Sequence, residues 1–111
     1  MVLQEEISRH ESDFKSLCEI HKVKFLYGFG SSVTDRFDKN KSDIDLLVEI
    51  DEPDPIKRGD KLMSLWDGFE AFFNRKVDML TEPFIRNPYL KKSINATKIL
   101  IYEGEGSKVF I

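Results

Sequence analysis

Phe29-Gly30-Ser31 and, a short way on, Ser42-Asp43-Ile44-Asp45-Leu46-Leu47-Val48 form the stretch that decides how this chain folds. A Gly-Ser turn opens a short segment, and the segment leads to two aspartates at i and i+2 at the head of an apolar run. Side chains alternate along a strand, so Asp43 and Asp45 share one face, about 7 Å apart, while Ile44, Leu46 and Val48 share the other. Two carboxylates on one face can share divalent cations. A Gly-Ser turn at a helix start can hold a phosphate. Together they point to a site that handles a nucleoside triphosphate with magnesium.

Neither half of the pattern is specific alone. An isolated Asp-x-Asp at a strand start is more often a cap or a solvated turn, and Gly-Ser pairs punctuate chains everywhere. The combination requires a strand before the Gly-Ser, a short helix after it and a second strand carrying the acids. The flanking sequence supplies each. Val23, Phe25, Tyr27 and Phe29 alternate with Lys24, Leu26 and Gly28, which predicts a strand. Ser31 or Ser32 can cap the short helix, with Thr34 or Asp35 near its third position. Asp38-Lys39-Asn40-Lys41-Ser42 reads as a loop, and residues 43–50 as the second strand.

A third carboxylate lies further on. Lys76-Val77-Asp78-Met79-Leu80 sits between Asn74-Arg75 and Thr81-Glu82-Pro83, and reads as a short strand. Neighbouring strands are about 4.8 Å apart, so Asp78 on an adjacent strand could face Asp43 and Asp45. The plainer alternative is a solvent-facing acid on a short strand. A pair of magnesium ions roughly 3.5–4 Å apart needs such a cluster, whose like charges otherwise repel.

With 111 residues, 41% of them hydrophobic and nine of them phenylalanine, the chain is expected to form one domain with a well-filled core. A net charge of −3 argues against a broad nucleic-acid surface, which needs clustered Lys and Arg. Cys18 is the one cysteine, so neither an internal disulfide nor a cysteine-rich metal site can form. The start lacks the basic and apolar regions of a signal peptide, and no apolar run approaches membrane-spanning length. A soluble cytoplasmic protein with no membrane partner is expected.

Leu3, Ile7, Phe14, Leu17, Cys18 and His21 recur at helical spacing, so residues 3–21 are expected to form one amphipathic helix, with His10 a packed or surface residue. Asp54-Pro55 marks the start of another helix, with Ile56, Met63, Trp66, Phe69, Phe72 and Phe73 on its buried face and Asn74 at its end. Asn87-Pro88 starts a last helix through about Ile94, and residues 98–102 form an edge strand or extended tail. This order predicts an α/β domain, a small mixed β-sheet with helices packed on it.

Gly30-Ser31, Ser42-Asp43-Ile44-Asp45-Leu46-Leu47-Val48 and the separate Asp78 resemble the minimal nucleotidyltransferases of the DNA polymerase beta-like superfamily. The resemblance runs from about Phe25 to Glu103 and includes the Asn87-Pro88-Tyr89 start and the Ile99-Leu100-Ile101-Tyr102-Glu103 end. Eleven residues separate Ser31 from Asp43, one more than the family pattern, and the loop at 39–41 could absorb it. The resemblance implies the nucleotidyltransferase fold and a set of roles. Asp43 and Asp45 would bind magnesium ions carrying ATP, and Asp78 would complete the metal site and help deprotonate the attacking hydroxyl. The Gly30 and Ser31 amides, with the Ser31 hydroxyl, would hold the β and γ phosphates. Ser42 is a further nucleotide-binding candidate, and Arg36 either meets phosphate or is a plain surface arginine.

The acceptor is the open question. Relatives that modify drugs or RNA carry an added helical domain, which this chain does not show. Family members of this size are commonly paired with a small helical HEPN-domain ribonuclease toxin, onto a tyrosine of which the antitoxin transfers AMP from ATP. That is the leading expectation, with a hetero- or homo-oligomer left open. Two rivals stand beside it: a non-catalytic antitoxin that neutralises by binding, and a nucleotidyltransferase acting on a small molecule.

Overall fold

The structure is a computed structural model, and it describes residues 2–33, 43–82 and 85–110. Its elements, in chain order, are α1 (Val2–Arg9), α2 (Glu11–Ile20), β1 (Val23–Gly28), a 3-10 turn (Gly30–Val33), β2 (Ile44–Ile50), α3 (Pro55–Phe73), β3 (Val77–Leu80), α4 (Pro88–Thr97), β4 (Ile99–Glu103) and β5 (Lys108–Val109). Among the described residues the strands form one mixed sheet in the order β3-β2-β1-β4-β5. β2 and β3 run parallel, and the remaining neighbours are antiparallel. A parallel pair needs a long crossover, and α3 supplies it. The expected α/β architecture is therefore present.

Alternation divides the sheet into two faces. Ile44, Leu46, Val48 and Ile50 from β2, with Val77 and Met79 from β3, join Phe14, Leu65, Phe69 and Phe73 in the main core under α1, α2 and α3. On the opposite face Phe29, Leu47 and Ile94 form a smaller cluster with Tyr27, Leu80 and Ile85 beneath α4. Asp45 and Asp78 belong to this second face, because each lies one residue from a core position on its strand.

Four local expectations change. Residues 3–21 form two helices instead of one: His10 leaves helical geometry at φ −134°, ψ 45°. The break lets α1 lie beside the 3-10 turn while α2 packs along α3, and exposed His10 meets the Phe72 ring edge-on at 6.2 Å. On β1 the alternation slips, since Val23 pairs with Ile50 but Phe25 with Glu49. This bulge turns Val23 into the core beside Leu26, leaving Phe25 and Tyr27 on the second face. On α3, Ile56 and Met63 are 78% and 62% exposed. Helical geometry puts both nearly opposite Leu65 and off the stripe that Leu65, Phe69 and Phe73 bury. Finally, β4 is an interior strand, because β5 adds outside it after the turn through Gly104 and Gly106. The capping expectations hold: Asp54 accepts from the Ile56 amide, Asn87 from those of Tyr89 and Leu90, and Asn74 ends α3 in the left-handed region.

Phe69 is fully buried and stacks on Phe14 with ring centroids 5.7 Å apart. Phe69→Ala is expected to lower unfolding free energy by about 3–5 kcal/mol through lost transfer energy and the cavity left behind. Urea denaturation measures this, and a loss below about 1 kcal/mol would mean that the core refills the space.

Candidate active site

β2 and β3 align residue for residue, with Ile44 opposite Val77 and Asp45 opposite Asp78. The Ile44 amide donates to the Lys76 carbonyl at 3.1 Å and starts the ladder just ahead of the acids. The free edge of β3 is covered from α3. Trp66 Nε1 donates to the Val77 carbonyl at 2.7 Å, and the Val77 amide donates to Glu70 Oε2 at 3.0 Å. These two bonds occupy the outward groups of an edge strand and hold Asp78 at its station. Asp43 stands just before β2, where its Oδ2 lies 3.9 Å from Lys76 Nζ.

The Gly-Ser turn is fastened to Asp45 from both sides. The Phe29 amide donates to the Asp45 carbonyl at 3.1 Å, and the Asp45 amide donates to Ser32 Oγ at 2.7 Å. Gly30 adopts φ +63°, and a Cβ built there would stand 3.0 Å from Asp45 Oδ2. The positive φ favours glycine, because L side chains rarely take that conformation, and the Asp45 carboxylate would have to give by a few tenths of an ångström to admit a Cβ. The Gly30 amide, expected to face phosphate, is instead donated to Thr97 Oγ1 at 2.9 Å. Gly30 brings the turn close to the Asp45 carboxylate, and half-buried Ser31 stands beside it.

Ser32 and Thr97 are the site residues that sequence reasoning missed. The sequence marks Ser32 only as a candidate helix cap, yet its buried hydroxyl accepts from the Asp45 amide on β2. Nothing in the sequence links Thr97 to Gly30, 67 positions away. Arg36, Ser42 and the cap candidates Thr34 and Asp35 lie outside the described residues.

Burial, with Asp78 and then Asp43 adding like charge, pushes the Asp45 carboxyl up to about 6. This concentration of negative charge on hard oxygen donors fits a divalent cation such as magnesium. Among the described residues no three His, Cys, Asp or Glu side chains close into a cage around one point. Magnesium needs none, since it keeps several waters and takes one or two carboxylates together with substrate phosphate oxygens. A cavity of about 700 Å³ lies around the C-terminal half of β2, lined by residues of both sheet faces, among them Tyr27, Leu47, Ile50, Leu62, Ile85 and Lys91, and its lining includes neither the Gly-Ser turn nor the three acids. That volume falls within the range of small-molecule sites.

The sequence pattern of the nucleotidyltransferase domain matches residues 13–101, spanning the turn and all three acids. The chain belongs to this nucleotidyltransferase family. A protein of Methanocaldococcus jannaschii, provisionally named a protein adenylyltransferase, is 36% identical over 99 residues, covering 89% of this chain and 94% of that one. A solved structure provisionally described as a minimal nucleotidyltransferase superposes with a TM-score of 0.66 at 26% identity, over 89% of this chain and 95% of that one. Two toxin–antitoxin complexes share the fold at lower identity. One, with AMP-PNP, has a TM-score of 0.60 at 20% identity and covers 87% of this chain and 79% of that chain. The other is a tri-AMPylated Shewanella oneidensis HEPN toxin with its MNT antitoxin, at a TM-score of 0.51 and 17% identity over 94% and 75% of the two chains. The chain has the nucleotidyltransferase fold of these neighbours, and no helix among the described residues is long and apolar enough to cross a membrane.

Proposed function

We propose that this nucleotidyltransferase transfers AMP from ATP to a tyrosine hydroxyl of a HEPN-domain ribonuclease toxin, acting with magnesium as that toxin's antitoxin. The observation that carries the reading is the side-by-side pairing of Asp45 with Asp78, with the Gly30 turn pressed against Asp45. The relatives and complexes described above support its direction, since one is named for protein adenylylation and another holds an AMPylated toxin.

Asp43 and Asp45 are the residues that would hold magnesium, and Asp78 completes the acidic face. When bound, magnesium supplies charge neutralisation on the triphosphate and stabilises the entering and leaving oxygens. Ser31 meets the phosphate arm through its amide and hydroxyl. Asp78 accepts the proton as the acceptor oxygen bonds to the α-phosphorus. The bond from that phosphorus to the β-phosphate oxygen breaks, and pyrophosphate leaves. The acceptor comes from outside, and a partner's side chain must come within about 3–3.5 Å of the α-phosphorus.

Intact-mass spectrometry of the purified chain with ATP, magnesium and its HEPN partner tests the proposal. One or more AMP units should appear on a partner tyrosine as ribonuclease activity falls. Inhibition without a mass change, with Asp43→Ala protecting equally well, would leave a non-catalytic antitoxin. Transfer to a small molecule in place of the partner would move the acceptor to that class.

A further inference from the structure

We propose that Thr97, at the C-terminal end of α4, is a positioning residue for nucleotide binding, and that its hydroxyl locks the Gly30 turn against Asp45. This inference rests on the reading of that turn and Asp45 as the nucleotide site. The hydroxyl is used in both directions: it accepts from the Gly30 amide at 2.9 Å and donates to the Ser93 carbonyl at 2.8 Å. A hydroxyl has one proton to give, so the bond to Ser93 leaves its lone pairs for Gly30. Bonds from threonine to the carbonyl four residues back are common within helices. The bond across to Gly30 is different, because it ties a helix to a turn 67 positions away.

The tether has a chemical consequence. Gly30 sits at φ +63°, where a Cβ would stand 3.0 Å from Asp45 Oδ2, and the backbone of Asp45 is bonded to Phe29 and Ser32 on either side. Fixing the Gly30 amide therefore fixes the spacing between Ser31, the proposed phosphate contact, and the acid on β2. α4 is anchored in turn, because Ile94 is buried in the second-face cluster with Phe29 and Leu47. Helix, turn and acid form one mechanical unit, and Thr97 is its joint.

The test compares Thr97→Val, which keeps the shape and removes the hydroxyl, with Thr97→Ser, which keeps the hydroxyl; Thr97→Ala replaces valine if the latter disturbs α4. Two quantities are read: exchange protection of the Gly30 amide by NMR, and calorimetric affinity for ATP with magnesium. Thr97→Val should expose the Gly30 amide to faster exchange and weaken ATP binding roughly tenfold, the scale of one lost hydrogen bond. Thr97→Ser should restore both, which a merely structural role for the methyl group would not produce. Unchanged exchange or unchanged affinity in Thr97→Val overturns the inference. Tighter ATP binding also overturns it, since the hydroxyl would then be competing with phosphate for the amide. Failure of the unsubstituted protein to bind ATP with magnesium sinks the site reading itself, and is distinct from normal binding that Thr97→Val leaves untouched.

Discussion

Asp45→Asn is expected to cut AMP transfer by roughly 10³-fold, the scale seen when a preorganised electrostatic contact to the reacting group is lost, while making the fold more stable at neutral pH. The two effects share a cause. In the folded protein the Asp45 carboxyl is raised from an ordinary 3.8 to about 6, first by burial and then by Asp78 and Asp43. Between those values the folded chain keeps a proton that the unfolded chain has released. Stability therefore falls as pH rises through that window, and the full penalty stands above it. Taken whole the displacement is about 3 kcal/mol, and screening of a half-exposed carboxylate brings it to ~1–2 kcal/mol. Asparagine keeps the shape and the backbone bonds to Phe29 and Ser32 but removes the charge. Thermal melts at pH 5 and pH 8 should show the variant gaining most at the higher pH. Transfer within tenfold of normal would remove Asp45 from the reaction, and an unchanged melt at pH 8 would mean that its charge is already compensated.

Asp78→Asn is expected to separate binding from turnover. Asp78 lies opposite Asp45 on a strand whose outer edge is held by Trp66 and Glu70, so an isosteric amide should sit where the acid sat. If its role is to take the acceptor's proton, the effect appears only as charge develops in transfer. Calorimetry should find ATP affinity within a few-fold of normal, while kcat drops about 10²–10⁴-fold, the usual contribution of a general base. Near-normal turnover would return Asp78 to the role of a half-buried acid on a short strand. A collapse of ATP affinity would make it primarily a metal ligand.

These two residues also show where sequence reading reaches its limit. The alternation around Asp45 and the short apolar run around Asp78 each identify a strand and say which residues share a face, because that information lies in adjacent positions. The caps at Asp54 and Asn87 and the stop at Asn74 were legible for the same reason: each acts on backbone groups two or three residues away. Periodicity was less reliable wherever packing could override it. The heptad-spaced Ile56 and Met63 look like a buried stripe, yet the sheet receives the stripe of Leu65, Phe69 and Phe73. The break at His10 and the bulge after Val23 likewise answer to what lies underneath.

By itself the sequence determined the mixed α/β order, the Gly-Ser turn, and the presence of three acids in strand-like or strand-leading positions. Tertiary structure decided that β3 joins β2 in parallel register, so that Asp78 stands opposite Asp45 and not beside some other strand. It also assigned the Gly30 amide to Thr97 and the Ser32 hydroxyl to Asp45. The physical reason is range. Turns, caps and face alternation are written in neighbouring residues, whereas strand partners and the destination of a lone amide depend on which surfaces the whole chain buries together.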